Sequence, residues 1–335
     1  MTDLQRSKPP VFGVSITPYS SNVDEIFKIA KEADELGFDI IGIQDHPYNG
    51  SFLDTWTLIS ALAASTRRIR FFPDVSDLPM RPPAILAKTA ATLDIITKGH
   101  IELGLGTGAF WDAIQSWGGS RRTPGEAVEA YEEALQVIRL IWNYGNARSR
   151  VSFPGKYYRL ENAQAGPSPY HSVSIWSGAL GPRMVNVIGR LTDGWVVPLS
   201  TNMSGEEIRI RQNMIDESAR KNGRSPQSIS QIAQLVGVIE EKQGAGKSEK
   251  EPFFLHEKRP FVGPVSQWVD WLATSYKNLE LDTFIFWPAS EGEEETQLRI
   301  FAEQVVPRVR KAIKDLYQTS LESGPTSLDG WTSCP

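Results

Sequence analysis

The chain has 335 residues, of which 40% are hydrophobic, and its formal net charge is −5. This acidic balance disfavours a surface that binds nucleic acid or a membrane. The single cysteine, Cys334, excludes an internal disulfide and a cysteine-rich metal site, and the four scattered histidines form no metal-binding motif, so we expect no metal.

No apolar run approaches the roughly 18 residues that a membrane span needs. The first ten residues, MTDLQRSKPP, lack an apolar signal core. We therefore expect a short disordered lead, 1–10, ahead of a cytoplasmic domain.

Short apolar runs alternate with amphipathic segments along the chain. The runs have a β-rich composition, and the segments between them repeat apolar residues at helical spacing. The predicted strands cover 11–17, 38–44, 69–75, 100–106, 173–178, 194–198, 231–240 and 281–288. Capping boxes mark two helix starts, Thr123 with Glu126 and Ser204 with Glu207.

This alternation predicts one domain over 11–316. Residues 145–170 are polar and aromatic with Pro and Gly, which predicts a hairpin-like insertion, and the charged stretch 241–262 predicts a loop. Residues 317–335 are expected to form a flexible tail. Eight strand–helix units without a break in composition favour a single (β/α)8 TIM-like barrel with insertions. An open doubly wound sheet is the alternative.

Functional groups of such a barrel lie where its strands end. Asp45 and His46 follow the second predicted strand, and His46 could act as a general acid or base. A helix-capping Asp and a packed His are equally compatible with the pattern.

The glycine-rich end of the fourth strand, GLGTGAFW, resembles a dinucleotide fingerprint only weakly, because a long predicted loop follows it. Backbone that closely approaches a flat ligand at Gly106 explains the glycines better. Trp111 could stack on that ligand or simply anchor the loop.

Small residues follow the fifth strand and precede a helix, in the order Ser177, Gly178, Ala179, Leu180. Backbone N–H groups at a helix N-terminus can hold a phosphate. A tight strand–helix turn without a ligand is as compatible with this motif.

Three segments together resemble the bacterial luciferase-like superfamily, whose members are oxidoreductases that use FMN or the deazaflavin coenzyme F420. These segments are AKEADELGFDIIGIQDHP, LPMRPPAILAKTAATLDIITKGHIELGLGTG and SIWSGALGPRMVNVIGRLTDGWVVP. The resemblance runs in register from about residue 11 to 200 and weakly to about 310.

The resemblance implies a barrel whose mouth holds the ring. It implies a non-prolyl cis peptide at Asp74–Val75 behind the ring, ring contacts at Thr107, Gly108 and Asp112, and a phosphate or ribityl region at Gly178, Ala179 and Leu180. Asp45 with His46 matches a pair typical of the F420 branch, with Asp45 as a ring ligand. Ala109 stands where sugar-phosphate dehydrogenases of that branch carry an acidic Glu, which puts that substrate in doubt.

We therefore expect a flavin- or deazaflavin-dependent enzyme that performs hydride transfer or monooxygenation on a small organic substrate. His46 would be the catalytic proton donor or acceptor, and Trp111, Trp195 and Trp287 would wall an apolar substrate pocket. A flavin-binding protein without turnover is the alternative, and a non-redox barrel enzyme ranks last. FMN and F420 are not distinguished. Relatives commonly dimerise, so we expect a homodimer.

Overall fold

The computed structural model describes residues 8–143, 150–197, 203–240, 260–290 and 292–322. The strands are β1 (Val11–Ile16), β2 (Ile40–Ile43), β3 (Arg70–Pro73), β4 (Ser76–Asp77), β5 (Leu103–Gly106), β6 (Arg150–Pro154), β7 (Arg159–Gln164), β8 (Ile175–Gly178), β9 (Gly194–Val197), β10 (Ser230–Glu240), β11 (Phe261–Pro264) and β12 (Thr283–Pro288).

Helices follow most of the strands. They are α1 (Val23–Leu36), α2 (Thr55–Ser65), α3 (Pro83–Thr97), α4 (Trp111–Ser116), α5 (Pro124–Asn143), α6 (Pro182–Leu191), α7 (Gly205–Lys221), α8 (Val265–Leu279), α9 (Glu294–Ile300) and α10 (Val306–Glu322). Both predicted capping boxes are present, at α5 and α7. None of the helices in the described ranges is long and apolar enough to cross a bilayer.

The main sheet is parallel and closes into a barrel. Its strand order is β3-β2-β1-β12-β10-β9-β8-β5-β4. β3 and β4 are two halves of one interrupted strand, and both contact the fourth barrel strand. The Phe71 N–H donates to His100 O, and Phe71 O accepts from the Glu102 N–H, each at 2.9 Å, while β4 pairs with β5. The prediction of a (β/α)8 barrel is therefore confirmed.

Alternating strand residues divide the core into two layers, because successive side chains point to opposite faces of a strand. The inward layer is a compact plug of Ile40, Phe72, Trp176, Val196, Ile232 and Ile285. The outward residues pack against the helices in a separate, larger cluster that includes Phe12, Phe71, Phe284 and Phe286. The plug fills the barrel, so only the ends of the barrel are left for a ligand.

The structure describes parts of both segments that the sequence analysis treats as insertions. Within 145–170 the strands β6 and β7 form an antiparallel pair, whereas 144–149 lie outside the described residues. Of the predicted loop 241–262, only its end is described, and it forms β11, which pairs with β10. Helix α10 extends to Glu322, past the predicted start of the tail at 317. Residues 1–7 and 323–335 lie outside the described ranges.

A buried ionic cluster ties the segment before β8 to α3 and β5. His171 Nδ1 lies 2.7 Å from Asp94 Oδ1, and His171 Nε2 lies 3.6 Å from Glu102 Oε1. Glu102 also accepts a 2.8 Å hydrogen bond from Arg70. Interaction with Glu102 is the main cause that raises the pKa of His171, with Asp94 adding to it and partial burial opposing it.

The raised pKa of His171 predicts a pH-dependent free energy of unfolding. The imidazolium contributes fully below the ordinary histidine pKa of about 6.5, and its contribution is lost as the pH rises through the higher folded-state value. His171→Ala should cost about 1.5–3 kcal/mol at pH 6, because a hydrogen bond between charged groups is lost. Urea unfolding between about pH 6 and 9 should show the difference between variant and wild type shrinking as the pH rises. Parallel stability curves would contradict this assignment.

Candidate functional site

The carboxyl ends of the barrel strands surround the mouth of the barrel. There the Val75 side chain packs against the backbone of glycine residues. Gly106 and Gly178 lie beside Val75, and a Cβ built on them would come within 2.8 and 3.3 Å of Val75 Cγ2. The peptide bond Asp74–Val75 is cis, as the family resemblance implies. The glycines therefore let Val75 seat closely against β5 and β8, leaving a flat apolar surface above the plug.

A hydrogen bond crosses the barrel directly behind Val75. Gln234 Nε2 on β10 donates to Asp74 Oδ2 at the end of β3, and β3 and β10 lie on opposite sides of the closed strand order. Burial raises the pKa of Asp74 to about 6, and the hydrogen bond from Gln234 opposes that rise. Asp74 thus closes the floor of the mouth, a position compatible with its predicted place behind the ring.

Asp45 is held in an ion pair and is not a free ring ligand. Arg81 Nε and Nη2 donate to its two carboxylate oxygens at 2.7 Å each, and the Asp77 N–H donates to Oδ2 at 3.0 Å. Arg81 also binds Asp54 Oδ2 at 2.7 Å. Because both oxygens of this buried carboxylate are engaged, the predicted role of Asp45 as a ring ligand is replaced by a structural one: it joins the end of β2 to the loop after β4.

His46 lies half-buried at the rim, next to this ion pair. Its Nδ1 is 3.0 Å from Tyr48 Oη, and its ring contacts Phe52 and, edge-on, Phe110 with centroids 5.5 Å apart. Burial lowers the pKa of His46, although the nearby Asp45 carboxylate opposes the shift. A neutral imidazole at neutral pH can accept a proton, as a general base must.

The loop after β5 combines an exposed rim with a turn that requires glycine. Gly108 has φ +90°, where an L side chain is disfavoured, and its missing Cβ would lie 2.7 Å from Pro79 Cγ. Thr107 is half-buried beside it, and Phe110 is 58% exposed. This geometry keeps Thr107 and Gly108 at the mouth, where the resemblance puts ring contacts.

The loop after β8 leads into the N-terminus of α6. Among the described residues, no side chain caps this helix, and a Cβ on its N-cap residue, Gly181, would meet no atom within 4 Å. Open N–H groups there could hold a phosphate. The carbonyl groups of this loop accept hydrogen bonds from side chains: Trp195 Nε1 donates to Ala179 O at 2.9 Å, and Arg211 Nε donates to Leu180 O at 3.1 Å.

The structure separates the three predicted pocket tryptophans. Trp287 lies near the carboxyl end of β12, two residues after Ile285, and therefore points to the same inward face of the strand. Trp111 is the first residue of α4, beside the rim. Trp195 has the outward phase of β9, is fully buried among the helices and donates to Ala179. It therefore supports the loop after β8 and does not line a pocket, so the predicted role of Trp195 is corrected.

Asp112 also differs from its expected place. Its carboxylate is 95% exposed and pairs with Arg121. Since the side chain is turned to solvent and neutralised by an arginine, nothing in its surroundings supports a ring contact.

Several residues at the mouth escaped the sequence prediction. These are Tyr48, Asp77, Arg81, Phe110 and Gln234. Tyr48 follows β2 and Asp77 is the last residue of β4, so their position near strand ends is the signal that could have identified them. Gln234 lies inside a strand, and Arg81 lies several residues after one, so only the closed barrel brings them to Asp74 and Asp45.

The sequence profile of the luciferase-like monooxygenase family matches residues 9–281. The chain belongs to this family, and the predicted family membership is confirmed.

Two relatives illustrate the range of the match. The chain is 34% identical over 189 residues to a phthiodiolone/phenolphthiodiolone dimycocerosates ketoreductase of Mycobacterium kansasii, covering 56% of this chain and 49% of the relative. The chain thus spans about half the length of that protein. It is 26% identical over 235 residues to an F420-dependent glucose-6-phosphate dehydrogenase of Microbacterium testaceum, covering 68% of each.

Solved structures share the fold. An F420-dependent secondary alcohol dehydrogenase in complex with an F420–acetone adduct superposes with TM-score 0.75 at 17% identity, covering 90% of this chain and 99% of that one. The FMN-bound oxygenating component of 3,6-diketocamphane monooxygenase from Pseudomonas putida gives TM-score 0.69 at 18% identity, covering 90% and 99%. At such identities the likeness establishes the fold alone.

Gly106→Ala tests whether the position of Val75 requires a residue without a Cβ at position 106. The new methyl would press on Val75 Cγ2 at 2.8 Å, and such overpacking costs about 1–3 kcal/mol of stability. We also expect ring affinity, measured by absorbance titration, to fall about tenfold, which is about 1.4 kcal/mol. The matched control is Gly50→Ala, whose Cβ would meet nothing within 4 Å. Equal behaviour of the two variants would refute the role of Gly106.

Asp74→Asn tests the buried carboxyl. Its folded pKa of about 6 exceeds the ordinary 3.8, so its stabilising contribution is full below pH 3.8 and is lost as the pH rises through 6. Asn keeps an acceptor for Gln234 and does not ionise. The variant should match wild type near pH 4 and be more stable by about 2–3 kcal/mol near pH 8. Chemical unfolding at both pH values measures this, and a variant that is less stable at pH 8 would show that the ionised form is favoured.

Proposed function

We propose that this chain is an oxidoreductase that binds a deazaflavin or flavin at the barrel mouth and acts on an alcohol or carbonyl substrate. The observation that carries the proposal is a half-buried His46, whose pKa burial lowers, at the rim of a mouth whose floor is glycine backbone and Val75. A base and a flat apolar surface are what the transfer of a hydride and a proton requires of a protein.

The residues present fit such a cofactor. Val75, with Asp74 behind it, would support one face of the ring. The chain at Gly106, Thr107 and Gly108 would contact the ring. The N–H groups at Gly178, Ala179 and Leu180 would hold the phosphate end, at the uncapped start of α6. When bound, the ring supplies hydride acceptance or donation. The chain supplies position, exclusion of water and the proton.

The rim favours an apolar substrate. Phe110 is 58% exposed and lies against His46 and Tyr48. Trp111, at the start of α4, and Trp287, near the end of β12, are half-buried. Ala109 stands where a sugar-phosphate dehydrogenase of the F420 branch would carry Glu. Both features favour a secondary alcohol or ketone on an apolar molecule over a sugar phosphate.

F420 is favoured over FMN as the cofactor by the Asp45–His46 pair and by the F420-dependent relative. Visible absorption of the reconstituted protein decides, since the two rings absorb at clearly different wavelengths. A flavin spectrum after reconstitution with both cofactors in competition would reverse this choice. A homodimer and a cytoplasmic location stay predictions, and sedimentation equilibrium tests the first.

His46→Ala tests the catalytic proposal. Removing the imidazole should lower turnover of a secondary alcohol about 10²–10⁴-fold, the usual contribution of a general base. Ring affinity and the unfolding midpoint should stay close to those of wild type, because the ring rests on backbone and Val75. Unchanged turnover would remove His46 from the mechanism. Tight ring binding by wild type with no reduction by any donor would instead support the non-catalytic alternative.

A further inference from the structure

Aromatic side chains from three loops meet around His46 at the rim of the mouth. The centroid of the imidazole lies 5.5 Å from that of Phe110, 5.7 Å from that of Tyr48 and 6.2 Å from that of Phe52. Phe52 in turn contacts Tyr19, with centroids 5.0 Å apart. These five residues, which follow β1, β2 and β5, form one connected set of rings that we call the aromatic collar.

Backbone hydrogen bonds hold the collar in place. Tyr19 and Phe52 form an antiparallel bridge, and two backbone hydrogen bonds of 2.8 Å join the loops on either side of it. The carbonyl of Phe110 accepts the Ile114 N–H at 2.9 Å in the first turn of α4. Because the backbone fixes these rings before a ligand arrives, binding to them costs little ordering entropy.

The collar presents an apolar surface next to the proposed catalytic group. Phe110 is 58% exposed and Tyr19 is 46% exposed, whereas His46, Tyr48 and Phe52 are half-buried. Exposed apolar side chains that adjoin one another and are bordered by polar groups are typical of a ligand-binding surface. The collar is continuous with His46, so its ligand is part of the molecule on which His46 acts.

The angles between the rings favour a flat aromatic ligand. The ring of Phe110 stands at 81° to the imidazole of His46. Aromatic pairs prefer offset-stacked or edge-to-face arrangements. An aryl group that stacks on Phe110 is therefore close to perpendicular to His46, and it can make both preferred contacts at once. A saturated ring of the same size fills the corner and gains neither contact.

The hydrogen bond to Tyr48 sets where the reacting carbon lies relative to this corner. His46 Nδ1 is 3.0 Å from Tyr48 Oη, so Nε2 is the ring nitrogen that can face a substrate hydroxyl. Phe110 contacts the same imidazole. A group bonded directly to the carbon that carries this hydroxyl is therefore within reach of the Phe110 ring.

We propose that the aromatic collar binds an aryl group on the reacting carbon, so that the substrate is an aryl secondary alcohol or the corresponding aryl ketone. This inference rests on the proposed function and narrows its substrate class. Oxidation breaks the O–H bond, whose proton passes to His46 Nε2, and the C–H bond, whose electron pair leaves with the hydride to the bound ring. The C=O bond of the ketone forms, and reduction is the reverse. Phe110 is thus a residue that determines specificity.

Equilibrium binding tests the collar without turnover. The ligands are acetophenone and cyclohexyl methyl ketone, which have the same number of carbons and differ in whether the ring is flat. The cyclohexyl ring is no less apolar, so burial alone does not favour the aryl ketone. Dissociation constants come from the NMR signals of His46, assigned with His46→Asn, in the apoprotein and in protein reconstituted with the oxidised ring, which has no hydride to give.

Wild type should bind acetophenone about tenfold more tightly than the cyclohexyl ketone, the usual effect of aromatic contacts. Phe110→Leu, which keeps an apolar side chain, should abolish this preference, and Phe110→Tyr, which keeps the ring, should retain it. Tyr170→Leu is the matched control, because Tyr170 is 64% exposed and lies ahead of β8, away from the mouth. Equal affinities in wild type, or an unchanged preference in Phe110→Leu, overturn the proposal.

Sedimentation of the same variants tests another occupant of the collar, a second copy of the chain. Phe110→Leu and Tyr19→Leu should leave the oligomeric state of wild type unchanged. If they weaken self-association and leave the preference for acetophenone unchanged, the collar is a contact between copies and the proposal is wrong.

Kinetics of the reconstituted enzyme give a further test. The ratio of kcat/KM for 1-phenylethanol to that for 1-cyclohexylethanol should fall about tenfold in Phe110→Leu, mainly through KM. The intrinsic reactivity of the two alcohols is the same in both enzymes, so the change in the ratio reports the contact with Phe110. An equal loss of kcat for both alcohols would show that Phe110 only supports His46, which contradicts the proposal.

The outcomes separate this inference from the proposed function. If acetophenone binds with the expected preference but no alcohol is oxidised, the function is wrong and the collar stands. If secondary alcohols are oxidised without any preference that depends on Phe110, the function stands and the collar is wrong. Unfolding midpoints of the variants show whether a loss reflects folding instead.

Discussion

The guanidinium of Arg81 holds together the part of the barrel on which the chemistry depends. It binds Asp45 at the end of β2 through two hydrogen bonds and reaches Asp54 ahead of α2. Bidentate arginine–carboxylate pairs are strong and geometrically specific, and this one is largely buried. Because Asp45 also accepts the Asp77 N–H, one ion pair fixes the positions of His46, which follows Asp45, and of Asp77.

The mouth divides into two surfaces of opposite character. On one side, glycines of β5 and β8 expose backbone around Val75, where a flat group can approach closely. On the other, His46, Tyr48 and Asp77 are polar groups whose pKa values burial shifts, downward for His46 and upward for Tyr48 and Asp77. The barrel plug lies beneath both surfaces, and the Asp74–Gln234 bond spans it. The surface that we propose for a flat cofactor and the imidazole that we propose for proton transfer thus lie at the same barrel mouth.

The sequence predicted the elements well because their signals are local. Strands β1, β9, β10 and β12 begin within two residues of their predicted starts, and both capping boxes form as expected. The family motif located His46, Thr107 and Gly108 at strand ends. The short helix α4 was not predicted, since six residues leave little periodicity to detect.

Side-chain roles were harder to predict, because they depend on partners far along the chain. Asp45 was expected to meet the ring, yet Arg81, 36 residues later, occupies its oxygens. Trp195 was expected in the pocket, but it occupies the outward face of β9. A shift of one residue in phase moves a strand residue from the inside of the barrel to the outside. A short apolar run such as GWVV does not show which of its alternating residues face the inside of the barrel. That is fixed only when the strand pairs in register with its two neighbours.

The sequence by itself determined the barrel, the family and the strand ends at which chemistry can occur, since periodicity, capping and glycine placement are properties of neighbouring residues. Only the tertiary structure decided which of the buried acids at the mouth pairs with Arg81. Both are aspartates at strand ends: Asp45 follows β2, and Asp77 is the last residue of β4. The closed sheet gives the first an arginine and, within the described ranges, leaves Oδ1 of the second buried without a hydrogen-bond partner. Burial and pairing across the fold, and not residue type, set the free energy of a charge.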